Sequence, residues 1–295
     1  MIATFTLAVR EPETNTLAII TASNFLAVGS LVPWIDTRAG LIVSQSFANP
    51  DAAGSALESL RAGRTPEQAI DDFLLADDLA HMRQIGVLNI AGESALYDGE
   101  QCTPEVESLA SNDFIVLGNM LVPGTTQAIA SAFSAARSKG MELGSAMIKG
   151  MLAGQQHGGD KRGKLAAALL MKRQGGGYLG GSDTFVDLRV DAAARPLAEL
   201  RDLYSVFKLY NPQHFSHQMV PVRQLSAADL RLLDELLGHL SATSPTQHLV
   251  TLEQPQAVAE LLGAHNLASN YDAQKEQVSS LLLSETAGFL RLTAL

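Results

Sequence analysis

A single cysteine, Cys102, stands in 295 residues, so no internal disulfide and no thiolate metal cluster can form. That fits a reducing compartment. Basic residues are outnumbered: 21 Lys and Arg face 31 Asp and Glu, a formal net charge of −10. With a pI near 5.1 and no run of Lys or Arg, the chain lacks the basic face that nucleic acid or an anionic membrane would require. No stretch approaches the 18 or more uninterrupted apolar residues of a membrane span. No positive segment leads an apolar run at the N-terminus, and Arg10, Glu11 and Glu13 arrive too early for a signal peptide. The expected location is therefore cytoplasmic. Low complexity and internal repeats are absent too. What remains, 46% hydrophobic against 18% charged residues, is the balance of a globular protein with a real core.

Thr4, Thr6 and Ala8 alternate with Phe5, Leu7 and Val9, the period of a strand. Glu11 to Thr16 has the composition of a turn, and Leu17 to Ala22 is a second apolar strand. A hairpin so close to the chain start is expected to place residue 4 at the edge of a sheet. A threonine there has one unusual option. If the chain began at Thr4, its α-amine could act as general base for its own hydroxyl. An α-amine titrates near pH 7.7–8.0, so much of it is neutral at working pH. The other reading of Thr4 is a β-branched strand residue and nothing more.

Further on, Phe25 to Trp34 reads as an apolar loop, with Trp34 either a packing anchor or a stacking surface for substrate. Arg38 either lowers the pKa of a neighbouring amine or pairs with Asp36 in a turn. Leu41 to Gln45 is a strand; Asn49-Pro50-Asp51 opens a helix, and Thr65-Pro66-Glu67-Gln68 is a capping box opening another. Asp71, Asp72, Asp77 and Asp78 lack the glycine and bidentate glutamate of a calcium loop and read as a solvated face. Ile85 to Ala91 and Ser94 to Tyr97 read as a strand pair, and Asp113 to Leu117 as a strand. Asn119, beside Gly118, is either an oxyanion donor or a turn residue. Two helices are expected over about 125–138 and 142–153. Gly154 to Gly163 is a glycine-rich segment with His157, Asp160, Lys161 and Arg162, without the spacing of a phosphate loop. Strands follow at Leu165 to Met171 and Phe185 to Val190, where Asp187 and Arg189 share a face as site residues or an edge ion pair. A helix from Pro196 closes a domain of residues 1–210. The segment 211–225, with Pro212 and Pro221, reads as a linker; its His214 and His217 lack a second pair of zinc ligands. Helices are expected from Ser226 to about Leu240, from Gln254 to Leu262 and from Asp272 to Leu292.

Several motifs carry a resemblance: Thr4-Phe5-Thr6, Phe25-Leu26-Ala27-Val28-Gly29, Val32-Pro33-Trp34, Arg38-Ala39-Gly40, Gln45 to Pro50, Arg83 to Val87, Gly118 to Leu121, Gly158 to Gly163, Gly180 to Asp183 and Asp187 to Asp191. In this order they resemble the family called domain of unknown function 1028, over roughly residues 3–210. The resemblance implies an N-terminal-nucleophile-hydrolase-like fold, α+β, a four-layer αββα sandwich. It also implies an amide-hydrolase ancestry and a nucleophile at Thr4. On this view Thr4, Asn119, Arg38, Asp160 and Arg162 are the candidate catalytic residues. Ser23, Asn24, Trp34, Gln45 and Asn49 are the candidates for substrate binding, and the ligand is a small amide or peptide-like molecule. No metal and no cofactor are implied, and a homo-oligomer is left open. Residues 226–295 faintly resemble a C-terminal module that some members carry, described as peptidoglycan-binding. The chain also departs from the family pattern. Ile2 and Ala3 precede the threonine, and methionine aminopeptidase does not normally cut before a bulky Ile. Asn24 stands where lysine is usual, Leu165-Ala166 replace Gln-Ser, and Ala192-Ala193 replace Asp-His. The alternative expectation is therefore a catalytically degenerate binding or assembly protein that keeps the fold.

Overall fold

A computed structural model describes residues 4–244 and 249–293. The chain opens on the hairpin of β1 (Thr4–Glu11) and β2 (Thr16–Ser23), with Asn15 at positive φ in its turn. β3 (Pro33–Asp36) and β4 (Gly40–Ser46) form a second hairpin. Two helices follow, α1 (Pro50–Arg61) and α2 (Pro66–Leu75). Both starts are chemically explicit. Asn49 caps α1 by accepting from Ala52 N, and Thr65 and Gln68 form a reciprocal capping box on α2, with proline at the first helical position of each. Next come β5 (Arg83–Asn89), β6 (Ser94–Asp98), β7 (Glu107–Ser111) and β8 (Phe114–Asn119). The helices α3 (Thr125–Arg137) and α4 (Leu143–His157) lead to β9 (Ala166–Lys172), β10 (Thr184–Val190) and α5 (Pro196–Tyr210).

Two antiparallel sheets result, a six-stranded one in the order β10-β9-β2-β1-β8-β7 and a four-stranded one in the order β3-β4-β5-β6. They share one buried cluster: Ala8, Leu17, Ile19, Ile115 and Leu117 from the first pack with Leu41, Val43 and Leu88 from the second. The period-two alternation of β1 therefore sends Thr4, Thr6 and Ala8 toward the other sheet. Phe5 and Leu7 are equally buried on the opposite face, where α3 and α4 contact β1. The outer face of the four-stranded sheet is covered by α1 and α2, whose Ala53, Ala56, Leu60, Ile70 and Phe73 pack on Ile42, Ile85 and Val87. β1, expected at the edge of a sheet, lies instead between β2 and β8 and is buried on both faces.

The first compact unit spans Met1–Leu200 and the second Arg201–Leu295, so the boundary falls inside α5. In the second unit the expected linker, 211–225, carries β11 (Met219–Pro221), which pairs with β13 (Gln277–Ser279) beside β12 (Tyr271–Asp272). Around this small sheet lie α6 (Ala227–Thr243), α7 (Pro255–Ala264) and α8 (Ser280–Thr293). Leu209, Leu233, Leu236, Leu240, Leu262, Val278, Leu282 and Phe289 form the core of this unit.

Four local expectations are corrected. Trp34 lies on β3 rather than in a loop. The edge strand β7 was not foreseen, because Glu-Ser-Leu-Ala-Ser carries little β preference. α4 runs on through Gly154, where a Cβ would sit 2.4 Å from Ile129 Cγ1; glycine there lets α3 and α4 approach. Residues 272–279, expected as helix, turn instead: the Asp272 carboxylate accepts from Gln274 N and Lys275 N, and Glu276 takes φ 50. No helix among the described residues is long and apolar enough to cross a membrane.

Gly86 sets the spacing of the two large sheets. A Cβ at this position would lie 2.7 Å from Ile115 Cδ1 and 2.8 Å from Leu117 Cδ1, both fully buried. Gly86→Ala is expected to destabilise the fold by about 1–3 kcal/mol through overpacking. A thermal melt unchanged from the parent would contradict this.

Candidate functional site

At the head of β1 one row of residues crosses the six-stranded sheet. Thr4 faces Ser23 on β2 and Asn119 on β8. All three are fully buried. The Thr4 hydroxyl donates to Ser23 Oγ at 3.3 Å. In the next inward-facing row, Thr6 pairs with the Thr21 hydroxyl at 2.9 Å and donates to Gln45 Oε1 at 2.7 Å, which crosses to the facing sheet. Gln45 Nε2 in turn donates to Gln84 Oε1 at 2.8 Å, and Asn119 Nδ2 donates to the same oxygen at 3.1 Å.

Acceptor chemistry fixes every amide in this chain. Gln84 Nε2 faces the carbonyl oxygens of Gly118 at 3.0 Å and Glu107 at 3.2 Å, the Asp98 carboxylate at 2.9 Å and Ser108 Oγ at 3.0 Å. Carbonyls and carboxylates only accept, so the nitrogen of Gln84 must point there and its oxygen toward Gln45 and Asn119. Both neighbours must then present their NH2 groups. Asn119 is consequently held with its nitrogen committed to Gln84, and its Oδ1 is a buried acceptor with no partner.

A second cluster joins this end of the sheet. The Asp160 carboxylate, 0% exposed, accepts from Asn24 N at 3.2 Å, Arg162 N at 2.8 Å and Arg162 Nη2 at 3.2 Å. Asn24 Nδ2 donates to the Arg162 carbonyl at 3.2 Å. The turn that carries Asp160 and Arg162 is stitched to the ends of both neighbours of β1. Asp160 bridges Leu121, Lys161 N donates to Met120 O, and Leu165 N donates to Ser23 O. Met120, directly after Asn119, takes φ 54 to make this junction.

An ion pair underlies Gln84. Arg83 grips Asp77 through Nε at 2.7 Å and Nη2 at 3.1 Å, and its Nη1 reaches the Phe47 carbonyl. The Arg83 hydrogen bonds outweigh the opposing effect of burial. Assisted by Asn49 and Leu79 N, they hold the Asp77 carboxyl at about 2. Glu107 shows the same balance. Burial raises its pKa, but donation from Thr126 and Gly124 at the start of α3 leaves it below the usual value.

The structure thus brings Thr4, Ser23, Asn24, Gln45, Asn119, Asp160 and Arg162 to one end of the first unit. It does not bring Arg38 or Trp34 there, and it commits the side chain of Asn49 to other partners. Arg38 sits in the turn before Gly40, whereas Gln45 lies at the far end of β4, about 17 Å along the strand. Its amide donates to Asp36 Oδ1, whose other oxygen is held by Arg61, so Arg38 is a turn residue. Asn49 spends its side chain on capping α1 and on Asp77. Trp34 donates to Leu31 O at 3.0 Å, packs against the α1 and α2 cluster, and borders a cavity of about 290 Å³ with Leu170, Lys172 and Arg189. Asp187 and Arg189 pair with each other at 2.7 Å on the edge strand β10. Asp72 is taken by Ser59 and Arg64, and among the described residues no group of three or more His, Cys, Asp or Glu could hold a metal ion. Burial pushes the Cys102 thiol up, away from reactivity. Thr6, Thr21 and Gln84 were missed. The available signal was a glutamine at an inward position of an otherwise apolar strand, in both Leu41–Gln45 and Gln84–Leu88.

Comparison with known proteins adds the following. The family described as "Family of unknown function (DUF1028)" matches residues 4–200. The crystal structure of protein SPO2555 from Silicibacter pomeroyi, itself titled as DUF1028, superposes with a TM-score of 0.62 at 25% identity, covering 70% of this chain and 89% of that one. No curated protein matches.

Two tests follow from the geometry. Gln84→Leu removes the partner of the Gln45 and Asn119 amides and a donor to the Gly118 carbonyl, and is expected to cost about 3 kcal/mol or more in denaturant unfolding. An unchanged midpoint would refute the network. Asp77, with its folded pKa below the 3.8 of an unperturbed group, adds stability that is complete above that value and is lost as pH falls toward 2. The contribution is on the order of 2.5 kcal/mol. Asp77→Asn should remove this part of the acid sensitivity. Parallel stability–pH curves for the two proteins between about pH 5 and pH 2 would contradict that assignment.

Proposed function

The chain belongs to the DUF1028 family, and from that premise we propose that it is an N-terminal-nucleophile-type amide hydrolase acting on a small amide or peptide-like substrate. The observation that carries this reading is the position of Thr4, first in a central strand, in a buried row with Ser23 and Asn119. The two facing sheets with helices on either side support the four-layer αββα reading of the fold.

The mechanism needs the Ala3–Thr4 peptide bond to be hydrolysed, which converts the Thr4 nitrogen from a non-basic amide to an amine. Met1, Ile2 and Ala3 lie outside the described residues. Thr4 Oγ1 then attacks the substrate carbonyl carbon while its proton passes to the α-amine. The negative charge on the substrate oxygen is met by backbone N–H groups and by the Asn119 Nδ2 proton that Gln84 does not use. One such donor is typically worth about 3 kcal/mol. The C–N bond breaks as the ammonium returns its proton to the leaving nitrogen, and water cleaves the resulting ester by the same route in reverse. Asp160 and Arg162 set the local charge at this end of the sheet. Arg38 has no part in this scheme.

A second reading is favoured by Asn24. Where the family usually has lysine, this chain has an amide tied to the Arg162 carbonyl and a backbone tied to Asp160. A chain that keeps residues 1–3 and this neutral side chain would be a binding or assembly protein.

The test uses a chain made to begin at Thr4, screened on a panel of small amides. Turnover is expected, and Thr4→Ala should lower it by at least about a thousandfold. A Thr4→Ala chain as active as its parent would overturn the nucleophile assignment. Saturable binding without turnover would favour the second reading.

A further inference from the structure

The buried, partnerless Oδ1 of Asn119 has no role in the scheme so far. It is an acceptor, and it cannot be exchanged with the nitrogen, because Gln84 Oε1 demands a donor. A buried acceptor without a donor costs about 1–3 kcal/mol, so its presence needs a reason. The residue directly across the ladder is Thr4, on the same face of the sheet. In the chain as it stands, the Thr4 nitrogen is a peptide amide with one proton. Once freed, it is an ammonium with three.

The geometry points to Asn119 as a positioning residue: its Oδ1 accepts a hydrogen bond from the freed α-ammonium of Thr4. This rests on the reading of Thr4 as an N-terminal nucleophile and adds to it what keeps the amine competent. With residues 1–3 in place Thr4 is fully buried; an amine that stays shielded there is weakened as a base, because burial disfavours the charged form. An amine so weakened could not hold the proton taken from its hydroxyl. An acceptor bonds the charged ammonium more strongly than the neutral amine, which restores that proton affinity and fixes the nitrogen beside Oγ1. The one carboxamide thus separates its tasks, with Nδ2 donating to Gln84 and to the substrate oxygen and Oδ1 accepting from the amine. The charged groups on neighbouring elements include the Asp160–Arg162 pair, the Glu105–Lys161 pair at 3.1 Å, Glu107 opposite Gly118, the Arg83–Asp77 pair and Asp98 behind Gln84. None is altered by substitution at residue 119, so they cancel in a comparison of variants.

The experiment titrates the Thr4 α-nitrogen itself. A chain beginning at Thr4 is labelled with ¹⁵N-threonine, and the amine shift is followed against pH in the parent, in Asn119→Leu and in the parent unfolded in urea. The folded parent is expected to titrate within about one unit of its unfolded value, and Asn119→Leu about one unit lower than the folded parent. An amine that titrates identically in the parent and Asn119→Leu overturns the inference. Should Asn119→Leu fail to fold, the parent alone decides: a folded value about two units or more below the unfolded one means that burial acts unopposed, and the inference falls. A shift as expected in a chain that hydrolyses no amide would leave the role of Asn119 standing while the hydrolase reading fails. Turnover lost in Thr4→Ala together with an amine insensitive to Asn119 would give the reverse.

Discussion

The carboxamide of Gln84 is the constraint on which the head of β1 depends. It lies between two sheets where no bulk water competes, and each of its atoms must find a partner of the right kind. Two carbonyls and a carboxylate dictate where its nitrogen points. Its oxygen then dictates the orientation of Gln45 and Asn119, and Gln45 dictates the donor role of Thr6. Thr6, Gln45, Gln84 and Asn119, all fully buried in a largely apolar interface, are in this way locked. Such a network fixes the register of the two sheets as well as their separation. Slipping β5 by one residue would bury Arg83 or Ile85 where an amide is required.

The rest of the first unit holds this arrangement in place. Arg83, next to Gln84, is anchored from outside by Asp77 and by the Phe47 carbonyl, and Asp77 is also tied to the capping residue of α1. Gly86, one inward position further along β5, lets the sheets come close enough for the amide chain to span them. On the other side, the turn bearing Asp160 and Arg162 binds the ends of β2 and β8 together, so the three residues of the Thr4 row cannot drift apart. Function at this site, on the reading offered here, is a matter of one nitrogen changing from amide to amine within a frame already built around it.

Much of this was legible from local chemistry and little of it from long-range chemistry. The Asn49 cap and the Thr65 capping box follow from residues three apart and were read correctly. The Thr4–Ser23 hairpin follows from alternation and a turn. Thr6, Gln45 and Gln84 meet only because two sheets face each other, and no spacing along the chain announces that. Arg38 entered through family resemblance, yet β4 carries it to the opposite end from Gln45. Residues 272–279 were expected as the start of a helix, but the Asp272 carboxylate accepts from Gln274 N and Lys275 N and turns the chain there. Asn119 stands out beside Gly118, but a sequence does not say which of its two side-chain atoms is left without a partner.

The central claim is that Thr4 becomes the first residue of the working protein. The intact mass of untagged protein, with N-terminal sequencing, tests this most directly. The account predicts a chain lacking Met1, Ile2 and Ala3, with threonine released in the first sequencing cycle. A chain that retains them leaves the proposed base locked in a peptide bond and contradicts the account.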